Sequence, residues 1–64
     1  DEHKLKKMYI AIYELSDIEK ALIMMYLEDK PYREISDILG ITEGNARVKM
    51  NRAKNNLKLK INTK

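Results

Sequence analysis

PYREISDILGITEGNARVKMNRAKNNL, residues 31–57, decides how the rest of this 64-residue chain is arranged. Tyr32, Ile35, Ile38 and Leu39 recur at helical spacing, which predicts a short helix over 31–39 with these four facing inward. Gly40 follows the last of them, where a left-handed residue ends a helix and glycine takes that conformation without steric cost. Thr42 stands just before the next helical run, so its hydroxyl can accept a backbone N–H as an N-cap, while Ile41 staples onto Ala46 one turn further on. The second helix then runs over about 42–58. Two helices joined by so short a glycine turn make a helix-turn-helix, a motif whose second helix fits the DNA major groove.

That second helix has two unlike faces. At 100° per residue, Ala46, Met50, Ala53 and Leu57 share one stripe, the side packed on the rest of the domain. Opposite lie Gly44, Val48, Asn51, Arg52 and Asn55, flanked by Asn45, Arg47 and Lys49. Amides hydrogen-bond base edges and cations neutralise phosphates, so this face fits duplex DNA better than it fits plain solvent. Val48 sits at its middle with no hydrogen-bonding group, and a thymine methyl is its natural counterpart. Arg33, at the start of the preceding helix, is a candidate phosphate contact.

Upstream of the pair, Pro31 suits the first position of a helix, where its missing N–H costs nothing. Glu28, Asp29 and Lys30 form a polar break. Before it, residues 21–27 (ALIMMYL) are apolar throughout, so this helix is covered from several directions and forms the centre of the domain. The alternative leaves Ile23, Met24 and Leu27 exposed as an adaptable docking patch. Ser16 and Glu19 form an S-x-x-E capping box that opens this central helix. Leu5, Met8, Ile12 and Leu15 mark the inner stripe of a first helix, with Tyr9 and Tyr13 at the core edge and Ile10 pointing away. Ser36 is small where the two helices of the motif approach each other. Beyond Leu57 the pattern fades into a basic tail, 58–64, that frays. The whole predicts an all-α fold, a four-helix bundle with a C-terminal helix-turn-helix, the helices at about 3–14, 17–28, 31–39 and 42–58.

The chain makes one domain, residues 1–64, with limited capacity for a core. It opens at Asp1 rather than methionine, as a piece cut from a longer protein does. The net charge is only +3, but residues 1–43 carry ten acids against six bases while residues 44–64 carry seven bases and no acid. Positive potential is thus concentrated on the last helix, the footprint of a polyanion partner bound locally. There is no cysteine, which removes disulfides, thiolate zinc sites and thiol nucleophiles and suits a reducing cytoplasm. His3 is the only histidine and has no second ligand to share a metal with. No glycine-rich phosphate loop occurs; Gly40 serves the turn, and Gly44 is read as a point of close backbone approach. The acids lie in caps and on polar faces rather than in a cleft, so no enzyme, cofactor, metal or small-molecule substrate is expected. No apolar run reaches the length of a membrane span.

LSDIEKALIMMYLED, YREISDILGIT and NARVKMNRA, together covering much of Leu15–Leu57, resemble the C-terminal DNA-binding domain, region four, of bacterial RNA polymerase sigma factors, especially the extracytoplasmic-function group. Such domains read as a leucine, a capping residue, an apolar run ending in an aromatic and a short acidic break. They continue as Y-x-E-I-A-x-I-L-G-I-S and then T-V-K-S-R-L-x-R-A. Here Ser36 replaces the usual Ala, Ala46 Val, Val48 Ser, Lys49 Arg and Met50 Leu. The changes at 48 and 49 fall where bases or phosphates are read.

The resemblance implies a cytoplasmic bacterial protein whose second motif helix enters the −35 promoter element. It further implies docking on the β flap of RNA polymerase, an anti-sigma factor on the apolar surface, and an upstream domain that reads the −10 element. Arg33, Thr42, Asn45, Arg47, Val48, Lys49, Asn51 and Arg52 are the expected DNA contacts. Two other kinds of domain fit parts of the same pattern. The output domain of LuxR-type response regulators has a similar motif but dimerises on its last helix, which here offers little spare apolar surface. A helical protein-interaction module would use the basic tail on an acidic partner instead of DNA.

Overall fold

The computed structural model describes residues 2–62, and among these there are four helices and no strand. They are α1 (Glu2–Tyr13), α2 (Asp17–Leu27), α3 (Tyr32–Leu39) and α4 (Glu43–Asn62). At 1.5 Å per residue the 20 residues of α4 span about 30 Å. The molecule is 35 Å in its longest dimension, so α4 is its spine and the other three helices all pack against it.

Local chemistry sets the helix ends. At α2, the Ser16 hydroxyl accepts the Glu19 N–H while the Glu19 carboxylate reaches back to the Ser16 N–H, a complete capping box. The helix closes through Asp29, which adopts a left-handed φ of 59°, with the Lys30 N–H bonded to the Met25 carbonyl at 3.1 Å. Asp is one of the few non-glycine residues that tolerate this conformation. Pro31 caps α3 from outside instead of forming its first turn: its ψ of 155° is extended, and its carbonyl accepts the Glu34 and Ile35 N–H groups.

The core consists of Ala11, Ile12, Leu15, Leu22, Ile23, Met25, Ile35, Ala46, Met50 and Ala53. Each fully buried large side chain among them contributes about 1.5–3 kcal/mol. Three alanines, Ala11, Ala46 and Ala53, are completely buried, which lets helix backbones come close to α4. Ser36 is buried too, its hydroxyl donating to the Arg33 carbonyl at 2.8 Å, so its polar atom needs no other partner at the α3–α4 contact.

Several inward assignments fail, each for a geometric reason. Ile38 is 57 % exposed: α3 rolls onto α4 through Ile35 and Ser36, which turns position 38 about 110° from the buried stripe at 100° per residue. On α1 the stripe loses cover toward the helix start. Met8 is half-buried, Leu5 is exposed, and Tyr9 and Tyr13 stand out from the core rather than edging it; Ile10 points outward as its phase requires. In the apolar run 21–27 of α2, Ile23 is buried, so the exposed remainder is Met24, Tyr26 and Leu27. The predicted fraying after Leu57 does not occur over residues 58–62. Ile61 is half-buried and lines a groove with Met8, Leu27 and Leu57, and α4 continues four residues further than predicted. Thr63 and Lys64, the end of the predicted tail, lie outside the described residues.

Candidate nucleic-acid interface

The turn between α3 and α4 aims the second helix. Gly40 has φ 68° and ψ 36°, and both its N–H and that of Ile41 donate to the Ser36 carbonyl, the latter at 3.0 Å. Only a left-handed residue brings these two donors onto one carbonyl. Ile41 then packs on the core as a half-buried side chain. The Thr42 hydroxyl accepts the Asn45 N–H at 3.1 Å and its carbonyl accepts the Ala46 N–H at 2.9 Å, so α4 starts at a fixed point and angle.

With Ala46, Met50 and Ala53 pinned at 0 % exposure, the opposite face of α4 is open. Asn45, Val48, Asn51, Arg52 and Asn55 are all exposed along it. The flanks are held from both sides. Toward α3, the Arg47 guanidinium lies 4.4 Å above the Tyr32 ring, a cation–π contact that orients it; Arg33 is exposed in the first turn of α3. Toward α2, Lys49 is half-buried and shares with Arg52 a shallow hollow of about 310 Å³ lined also by Ser16, Ile18, Glu19 and Leu22. Lys54, further along, sits 3.9 Å over the Tyr26 ring and so belongs to the α2 contact rather than to the open face. Tyr32 and Tyr26 were legible only as apolar residues; no spacing in the sequence shows that each receives a cation from a helix elsewhere in the chain.

Glu19 lines the hollow that Lys49 and Arg52 share. Its carboxylate accepts hydrogen bonds from the Asn56 amide and, at 2.9 Å, from the Ser16 hydroxyl. The Asn56 bond is the main cause holding this carboxyl below its ordinary value of 4.5, with the Ser16 bonds and the positive charge of Lys60 acting the same way against partial desolvation. The start of α2 is thereby tied to α4 one turn past the residues of the hollow. Gly44 is not a point of close approach within the fold, since a Cβ placed there meets nothing within 4 Å.

Of the eight predicted contacts, Asn45, Val48, Asn51 and Arg52 share the open side of α4, while Arg47 and Lys49 stand on its two flanks. Thr42 caps its start, and Arg33 lies apart on α3. A helix whose one face offers amides, a branched apolar group and cations, set by a capped turn, can lie along a polyanion and hydrogen-bond its edges. Residues 7–57 match the family described as sigma-70, region 4. The chain belongs to that family. Sigma-70 region 4 domains bind promoter DNA in transcription initiation, and their family is one of regulatory domains, not enzymes. No match was found among curated proteins or among solved structures. In this region 4 domain the match runs from α1 through about four turns of α4, so it takes in α3, the turn and the face of α4 described above. No helix among the described residues is long and apolar enough to cross a membrane.

Proposed function

We propose that this region 4 domain reads the −35 element of bacterial promoters through α4 and docks on the RNA polymerase core, as part of an extracytoplasmic-function sigma factor acting in the cytoplasm. The observation that carries this is the open face of α4: Val48 and Asn51 project from its centre while Arg47 and Lys49 flank it, on a helix whose start is fixed by Gly40 and Thr42. In this reading Val48, Asn45, Asn51 and Arg52 meet base edges or the phosphates beside them. Arg47, Lys49 and Arg33 hold the backbone on either side of the groove. Thr42 sets the first turn and can still donate its hydroxyl proton to a phosphate.

A second surface supports polymerase docking. Met8, Ile23, Tyr26, Leu27, Leu57 and Ile61 line an apolar groove of about 240 Å³ on the α1–α2 side, with Lys54 and Lys58 at its rim. The β flap is the partner we assign to it, and an anti-sigma factor covering the same groove would keep the domain off the polymerase. The separation of the two surfaces allows DNA and protein to be bound together. Binding of DNA by the domain alone is weak in this scheme, because attachment to polymerase supplies the effective concentration.

The test is to incubate the tagged chain with a bacterial lysate, recover RNA polymerase with it, and sequence the promoter fragments that accompany the complex. Polymerase subunits together with fragments sharing a motif upstream of the start site are expected. Recovery of neither would refute the assignment.

A further inference from the structure

Gly44 is the second residue of α4, and nothing inside the fold calls for glycine there. A Cβ at this position meets no atom within 4 Å, and Gly40, not Gly44, is the glycine with positive φ. Its backbone is ordinary helix, which any residue can adopt and which glycine disfavours because it loses the most freedom on ordering. At 100° per residue Gly44 lies on the outward stripe with Val48, Asn51 and Asn55, opposite Met50 and Ala53. The stripe is therefore stepped, with side chains from residue 48 onward and bare backbone at residue 44, beside the exposed Asn45 side chain. The first turn of the second helix is the part of a helix-turn-helix that reaches base edges.

We infer that Gly44 is a positioning residue, the point at which the α4 backbone rests directly against the floor of the major groove. The missing side chain sets the depth of the helix and so brings Val48 and Asn51 within reach of the bases. Hydrogen bonds to base edges hold over only a few tenths of an ångström, so a methyl group at residue 44 lifts the reading groups out of range while the flanking cations still touch phosphates. This rests on the promoter-binding role proposed above.

The wild-type chain is first used to select a duplex from a randomised pool. That duplex and a scrambled one are then titrated with wild type and with Gly44→Ala at one salt concentration, and both proteins are melted. Gly44→Ala is expected to melt at or above the wild-type temperature, to bind the selected duplex about tenfold more weakly, and to bind the scrambled duplex within twofold of wild type. Binding of the selected duplex within threefold of wild type overturns the inference, as does an equal loss on both duplexes. A lower melting temperature also overturns it, by giving Gly44 a role inside the fold. Failure of the wild type to select any motif refutes the DNA-binding role itself, and Gly44's part falls with it.

Discussion

Replacing Gly40 isolates the cost of the turn that aims α4. Gly40 sits at φ 68°, ψ 36°, and a Cβ added there finds open space, with nothing within 4 Å. Any penalty therefore comes from the new side chain against its own backbone, about 1–2 kcal/mol for a left-handed L-residue. Against this, a substituted unfolded chain has less entropy to lose, which returns about 0.4–1 kcal/mol. The net cost of Gly40→Ala is then roughly 1 kcal/mol. Gly40→Val costs more, because a β-branched residue is a genuine outlier at positive φ. Gly40→Asn costs less, since asparagine tolerates this region. In a domain of this size about 1 kcal/mol moves the melting temperature by roughly 4–8 °C. Thermal melts followed by far-ultraviolet circular dichroism should rank the series wild type, Asn, Ala, Val from most to least stable. An alanine variant that melts with the wild type would refute the reasoning. So would an asparagine variant as unstable as valine, because that would make space rather than backbone conformation the limit.

The same logic runs the other way at Asp29, whose φ of 59° ends α2 without a glycine. Asp29→Gly should stabilise the domain by a few tenths to about 1 kcal/mol, measured by urea titration; a loss of stability would mean the carboxylate makes a contact worth more than the strain it carries. Glu19 predicts an acid dependence. Its folded-state pKa is depressed, so its contribution is fully present above the ordinary value of 4.5 and is lost as pH falls through the lower, folded value. Glu19→Gln should flatten the stability profile in that acidic window and leave the profile's shape near neutrality unchanged, and an identical acid limb in the variant would contradict the Asn56 and Ser16 bonds.

The parts of this fold that could be read from the sequence are those decided by neighbours in the chain. Ser16 with Glu19, Gly40, and Thr42 each announce a helix end because the residue type and its offset determine the hydrogen bond. The inner stripe of α4 was legible for the same reason, as 3.6-residue periodicity places Ala46, Met50 and Ala53 together. What failed depends on how helices roll and slide against one another. Ile38 and Leu5 satisfy the period yet stand exposed, and α4 outlasts its visible pattern, with Ile61 half-buried beside a groove that it lines with residues of α1 and α2. The site divides along the same line. The open face of α4 follows from its phase, but Arg47 on Tyr32, Lys54 on Tyr26 and Asn56 on Glu19 join residues 15, 28 and 37 positions apart, and no local rule pairs them.

The most direct measurement of the central claim, that the open face of α4 reads DNA while its flanks hold it, is selection from randomised duplexes at two salt concentrations. Wild type, Val48→Ser and Lys49→Ala are compared in it. If Arg33, Arg47, Lys49 and Arg52 meet four phosphates, log K should fall with log salt at a slope of about −4. Lys49→Ala should keep the selected motif and flatten that slope by about one unit. Val48→Ser should keep the slope and change the preferred base at one position, by about 1 kcal/mol. An unchanged motif for Val48→Ser, or an affinity indifferent to salt, would contradict the account.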